Sequence, residues 1–187
     1  MTIPSSDAHS VLTAQRDHLS NLLEAIQRCV YFLDASDSSL SWPLSGGQLL
    51  AHKKDTGLFE ALAAVNERFA KLQDTLGSAM RHTLLLSGEQ AESFLRVLAI
   101  FEKNGVLISL EDWQTTRSAR NLAAHDYETD YSVVAEHFNA LHGLKPTLLG
   151  VAARFMHYCS HELKVMPCTA DFAEDFARVT GGDGSRV

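Results

Sequence analysis

Apolar residues recur along this chain at steps of three and four, the period of one face of an α-helix. Leu19, Leu22, Leu23, Ile26, Val30 and Leu33 trace the first such face. From Asp34 to Gly47 the chain gathers Ser, Asp, Gly and Pro43, a composition that predicts a loop, with Trp42 anchoring it on the core. Leu58, Leu62, Val65, Phe69, Leu72 and Leu76 alternate steps of four and three, the spacing of a bundle seam. They predict a helix from about Thr56 to about Leu85, weakened locally at Gly77 and ended by Ser87-Gly88. The same seam would serve equally well in the core or in a dimer contact.

Ser87 followed by Gln90 matches a capping box and predicts the start of the next helix. Phe94, Leu95, Leu98 and Phe101 form its stripe, and Asn104-Gly105 suits a left-handed stop. Leu110 to about Ala124 reads as another helix, carrying Trp113 and Leu122. Thr129 or Asp130 can cap the one after, whose apolar residues are Val134, Phe138, Leu141, Leu148, Val151, Phe155 and Tyr158. Gly143 and Pro146 lie inside that run. Proline lacks an N–H and clashes with the preceding turn, which predicts a kink or short break near Lys145. A weaker helix is expected over Thr169 to Val179, then a frayed tail from Gly181 to Val187. Sustained period-two alternation, internal repeats and low-complexity blocks are absent from the sequence. The expected fold is therefore all-α, a single antiparallel up-and-down bundle of about five helices, with its core over about residues 10–163 and a flexible C-terminal tail.

Composition narrows the class. At 187 residues, 45% hydrophobic and 21% charged, the chain suits one ordinary globular domain. No apolar run approaches the roughly 18 residues of a membrane span. Met1 to Ser10 lacks the basic-then-apolar build of a signal peptide, so a cytoplasmic location without membrane contact is expected. Cys29, Cys159 and Cys168 are odd in number and widely spaced with no CxxC pair, which predicts buried thiols and neither a zinc knuckle nor a disulfide framework. The net charge of −7 argues against the broad basic surface of a protein that coats nucleic acid. A nucleic-acid reading must rest on a few arginines in a local cleft.

One segment, Arg120-Asn121-Leu122-Ala123-Ala124-His125-Asp126-Tyr127, concentrates such chemistry. A guanidinium is a permanent cation whose planar fork fits phosphate oxygens. An imidazole exchanges protons near neutral pH. On an ideal helix at about 100° per residue, Arg120 and Tyr127 share a face, whereas His125 is turned roughly 140° from Arg120. The two converge on one phosphate only if the helix ends near Ala124 or if they meet across a dimer; otherwise the histidine is structural. Where they converge, His125 acts as general base or acid towards a ribose 2′-hydroxyl or the leaving oxygen, and Arg120 stabilises the developing charge. Asn121 would orient a neighbouring group, and Tyr127 would donate to phosphate or stack on a base. Arg117, one turn before Arg120, either adds a second phosphate contact or pairs with Glu111 or Asp112. No metal or other cofactor is needed for this chemistry.

Other clusters are weaker. His157 and His161 have a metal-compatible spacing, without an HExxH glutamate or further identifiable ligands. Ser45-Gly46-Gly47 lacks the GK[ST] ending of a phosphate loop and reads as a turn. His52-Lys53-Lys54 reads as a solvated basic spot.

The pattern Arg120-Asn121-x3-His125-x-Tyr127, late in an all-helical chain of this size, resembles the HEPN superfamily, most closely its HepT-like toxins and the helical partners of minimal nucleotidyltransferases. Nearly all of the match lies in Trp113 to Asp130, and the helical pattern extends it loosely to residues 10–163. The resemblance implies a helical homodimer with Arg120 and His125 lining a cleft at the dimer interface. It implies metal-independent cleavage of RNA, possibly tRNA, and neutralisation by a nucleotidyltransferase antitoxin that can AMPylate Tyr127. Such an adduct would put charge and bulk where the RNA phosphate sits. Some relatives serve only as non-catalytic partners of a nucleotidyltransferase. The segment Asp34–Asp55 and the chain after Leu163 have no counterpart in a minimal toxin.

Overall fold

The computed structural model describes residues 5–89, 92–121 and 130–181. Within them the chain is all-helical, with no strand, and the expected count of about five helices rises to seven plus one π-helical turn. Helix α1 spans Ser5–Ser38, α2 Gly46–Ala51, α3 Thr56–Leu86, α4 Phe94–Lys103, α5 Leu110–Asn121 and α6 Tyr131–Tyr158. The π turn Cys159–Leu163 prolongs α6, and α7 covers Ala173–Thr180.

The long helices assemble on the faces that their periodicity marks. Leu19, Leu23, Ile26, Val30 and Leu33 of α1 are buried against Val65, Phe69, Leu72, Leu76 and Met80 of α3. The seam from Leu62 to Leu76 is thus consumed inside the chain's own core. His82 meets the Gln15 carbonyl at 2.7 Å, and Arg68 donates to the Phe32 carbonyl at 3.1 Å, so α1 and α3 run antiparallel. Helix α6 also opposes α1: Arg16 donates to the Leu163 carbonyl at 3.0 Å, while Lys145 donates to Asp34 at 3.1 Å. A second, smaller cluster of Leu49, Leu62 and Ala135 ties α2 to α3 and α6.

Several boundaries depart from the sequence expectation, each for a local reason. The expected loop Asp34–Gly47 is shorter. Helix α1 runs on to Ser38 because Asp34 and Asp37 are held by Lys145 of α6. Ser45, read as part of a turn, is the N-cap of α2 and forms a full capping box with Gln48. Between them Trp42 does anchor the loop: its indole stacks on His142 with centroids 4.3 Å apart and donates to the Asp37 carbonyl at 2.9 Å. Asn139 clasps the loop's end through both the N–H and the carbonyl of Leu44.

Ser87 does not start α4. It is the C-cap of α3, and its supposed partner Gln90 lies outside the described residues. The N-cap of α4 is Ser93, whose hydroxyl accepts the Arg96 N–H. Val97, Leu98 and Phe101 carry the buried stripe of α4, and Leu95 is exposed. Gly105 adopts φ 72°, the left-handed stop expected there. Asp130 caps α6 through the Ser132 N–H. No break occurs at Pro146, and α6 is continuous from Tyr131 to Tyr158. Both halves are clamped independently, by His142 and Lys145 on Asp37 before the proline and by buried Leu148 and Leu149 after it.

The apolar core also reaches beyond residue 163, through Val165 and Phe176, as α7 packs on α1 and α6. Of the expected frayed tail, residues 182–187 lie outside the described residues. No described helix is long and apolar enough to cross a membrane.

Candidate functional site

Helix α5 carries the first part of the motif. Ser109 accepts the Asp112 N–H at 3.0 Å and opens the helix, with Glu111 and Asp112 in the first turn and Arg120 in the last, as the helix dipole favours. Buried Trp113 and Thr116 seat it on α3. Gln73 of α3 donates to the Thr116 hydroxyl at 2.7 Å, and that hydroxyl donates to the Trp113 carbonyl at 2.8 Å. With Gln73 opposite Thr116, Gly77 opposite Trp113 and Asp74 opposite Arg120, the two helices run antiparallel.

This seating leaves an open cleft of about 380 Å³ between α3 and α5, closed at one end by Phe94 of α4. Asp74, Gly77, Ser78 and Arg81 line it from one face of α3, at positions i, i+3, i+4 and i+7. Arg117 and Arg120 line it from one face of α5, one turn apart. Arg120 forms an ion pair with Asp74. Arg117 and Arg81 form none among the described residues, so neither Glu111 nor Asp112 takes Arg117. The Arg81 guanidinium lies 4.4 Å from the centroid of the Phe94 ring, a cation–π arrangement that aligns it. Three guanidinium groups against one carboxylate make the cleft a local cation on an acidic molecule.

Two lining residues also carry a buried polar atom without a hydrogen-bond partner among the described residues, Trp113 Nε1 and Gln73 Oε1. Buried polar groups are ordinarily paired, so both atoms are unusual in a folded chain. Gly77 keeps the floor open. A Cβ there would stand 3.1 Å from the Phe94 ring edge and 3.9 Å from Trp113 Cζ2.

The structure therefore brings Arg117 and Arg120 together and adds Arg81 and Asp74, which no local pattern in the sequence connects to them. Asn121 is the last residue of α5. His125 and Tyr127 lie outside the described residues, as do Leu122 and Ala124, so the convergence of Arg120 and His125 is not defined by the described geometry.

The remaining clusters differ from this one. A larger groove of about 670 Å³ runs between α6, the π turn and α7, lined by His157, Tyr158, His161 and Glu162 among others. The two histidine rings stand 5.3 Å apart and exposed, and no three potential metal ligands gather among the described residues. His52, Lys53 and Lys54 are exposed, with His52 Nδ1 against the Gln48 carbonyl. Only Cys159 is fully buried; Cys29 is half-buried, and Cys168, against expectation, is exposed. Burial pushes the Cys159 thiol up to about 12 and raises that of Cys29, while a hydrogen bond to Glu24 raises that of Cys168. All three are poor thiolates, which argues against nucleophilic cysteine chemistry.

Compared with family models, with curated proteins and with solved structures, the chain finds no match.

Proposed function

We propose that this chain is a HEPN-type, metal-independent endoribonuclease, an up-and-down helical bundle that works as a homodimer and is neutralised by a nucleotidyltransferase antitoxin. The observation that carries the reading is the position of Arg120. It is the first residue of the Arg120-Asn121-x3-His125-x-Tyr127 motif, and it opens from the last turn of α5 into a cleft shared with Arg117 and Arg81. A guanidinium so placed suits a phosphodiester.

In this reading Arg120 grips the scissile phosphate and stabilises the charge that builds on it. His125 takes the proton of the ribose 2′-hydroxyl, whose oxygen attacks phosphorus. The bond from phosphorus to the 5′-oxygen breaks, and that oxygen receives a proton. The products are a 2′,3′-cyclic phosphate and a 5′-hydroxyl. Asn121 and Tyr127 hold the substrate, and transfer of AMP to the Tyr127 hydroxyl would block the phosphate position.

A second reading, a non-catalytic helical partner of a nucleotidyltransferase, is favoured by one observation: Asp74 already occupies Arg120. The deciding experiment is cleavage of a tRNA mixture in excess EDTA by the purified protein, by Arg120→Ala and by His125→Ala, with intact mass excluding an AMP adduct. Cleavage by the wild type alone is expected. Cleavage that persists in both variants overturns the ribonuclease reading. An inactive wild type free of adduct, together with a stable complex with a nucleotidyltransferase, selects the second.

A further inference from the structure

The motif accounts for only one end of the cleft. Arg81 lies two helical turns beyond Asp74 on α3, about 10 Å along the helix axis, and so stands well away from the Asp74–Arg120 pair. It is exposed, is aligned by the Phe94 ring and forms no ion pair among the described residues, while Glu89 and Glu92 line the adjoining cavity with it. Arg117 lies between the two ends and is equally unpaired among the described residues. Two guanidiniums without an ion pair among the described residues thus share the part of the cleft where the motif has no residue.

We infer that Arg81 and Arg117 form a second phosphate subsite, so that the cleft takes two neighbouring phosphates of a single-stranded polynucleotide. This rests on the reading of the cleft as an RNA site and adds to it a binding residue on another helix. The donor set suits an acceptor-only ligand bearing negative charge. The cleft has the volume of a small-ligand site, which fits a short stretch of one strand and not a duplex. The stacked Arg81 is held in place before the ligand arrives, so little side-chain freedom is lost when it binds.

The test measures binding of a fluorescently labelled, short single-stranded RNA in a His125→Ala background, with its dependence on salt. Arg81→Gln is expected to weaken binding about tenfold, the loss of one charged hydrogen-bonding group. It is also expected to lower the slope of log affinity against log salt by about 0.7, one phosphate contact on a single strand. Arg81→Lys keeps the charge without the planar stack. It should restore the slope but not the full affinity, a split that a merely structural role for Arg81 would not produce. Thermal unfolding of each variant checks that the exposed substitution leaves the fold intact. Unchanged affinity and slope in Arg81→Gln, with binding weakened in Arg120→Gln, overturns the second subsite and leaves the ribonuclease reading standing. Indifference to both substitutions, or no binding at all, overturns both.

Discussion

At the scale of single residues, the pairing of Arg120 with Asp74 is the most consequential contact in the cleft. It is a surface pair, with Asp74 62% and Arg120 26% exposed, so its own contribution is about 1 kcal/mol or less. A phosphate that displaces Asp74 therefore meets only a modest penalty. Asp74→Asn should tighten binding of single-stranded RNA by no more than roughly fivefold, read by the same anisotropy titration. Weaker binding would instead mean that Asp74 orients Arg120 for its ligand. The pairing of Arg117 with Arg120 was legible in the sequence because residues one helical turn apart must share a face. Arg81 and Asp74 were not. They sit on another helix, and only the register that Gln73 and Thr116 set between α3 and α5 brings them opposite.

At the scale of elements, Gly77 shows why local preference did not decide the outcome. Glycine inside an exposed helix costs about 1 kcal/mol relative to alanine, and α3 runs through it unbroken. What the absent side chain provides is room for Phe94, which packs edge-on against Trp113 with centroids 6.3 Å apart. Gly77→Val should push Phe94 off this seat and destabilise the protein by about 1–3 kcal/mol, measured by urea unfolding. An unchanged midpoint would mean that Phe94 yields freely. The long helices were legible from their apolar spacing, since burial of one face dominates helix formation in a folded chain. Their ends were less so. Asp130 caps α6 as its chemistry suggests, whereas α4 is capped by Ser93 and the expected Ser87 ends α3 instead. Proline does not break the helix at residue 146, where contacts on both sides of it hold α6.

At the scale of the whole molecule, α1 and α6 are joined by a partly buried charge cluster. Asp37 is 4% exposed and accepts from both Lys145 and His142, and Lys145 also donates to Asp34. Burial alone would lower the Lys145 ammonium, but its hydrogen bonds to Asp37 and Asp34 outweigh that, and the net shift is upward. A raised lysine contributes stability that is complete below its unfolded value of about 10.4 and is lost as pH rises through its folded value. Lys145→Met should therefore cost about 3 kcal/mol near neutral pH, leaving a buried carboxylate short of its cation. That cost should shrink above about pH 10.5. Urea titrations of both proteins across that interval check it, and a gap that does not narrow would count against the linkage. The same closure has a consequence for the order of events as the chain is made. Helix α1 meets α3 across 36 to 67 positions, but Arg16 needs carbonyls 147 and 148 positions further on, and Asp37 a lysine 108 positions away. Contacts of such long sequence separation are slow to form. Until α6 has emerged and docked, one flank of α1 remains open to water with its carboxylates hydrated. The docking of α6 is thus the step that takes these carboxylates out of water and onto Lys145.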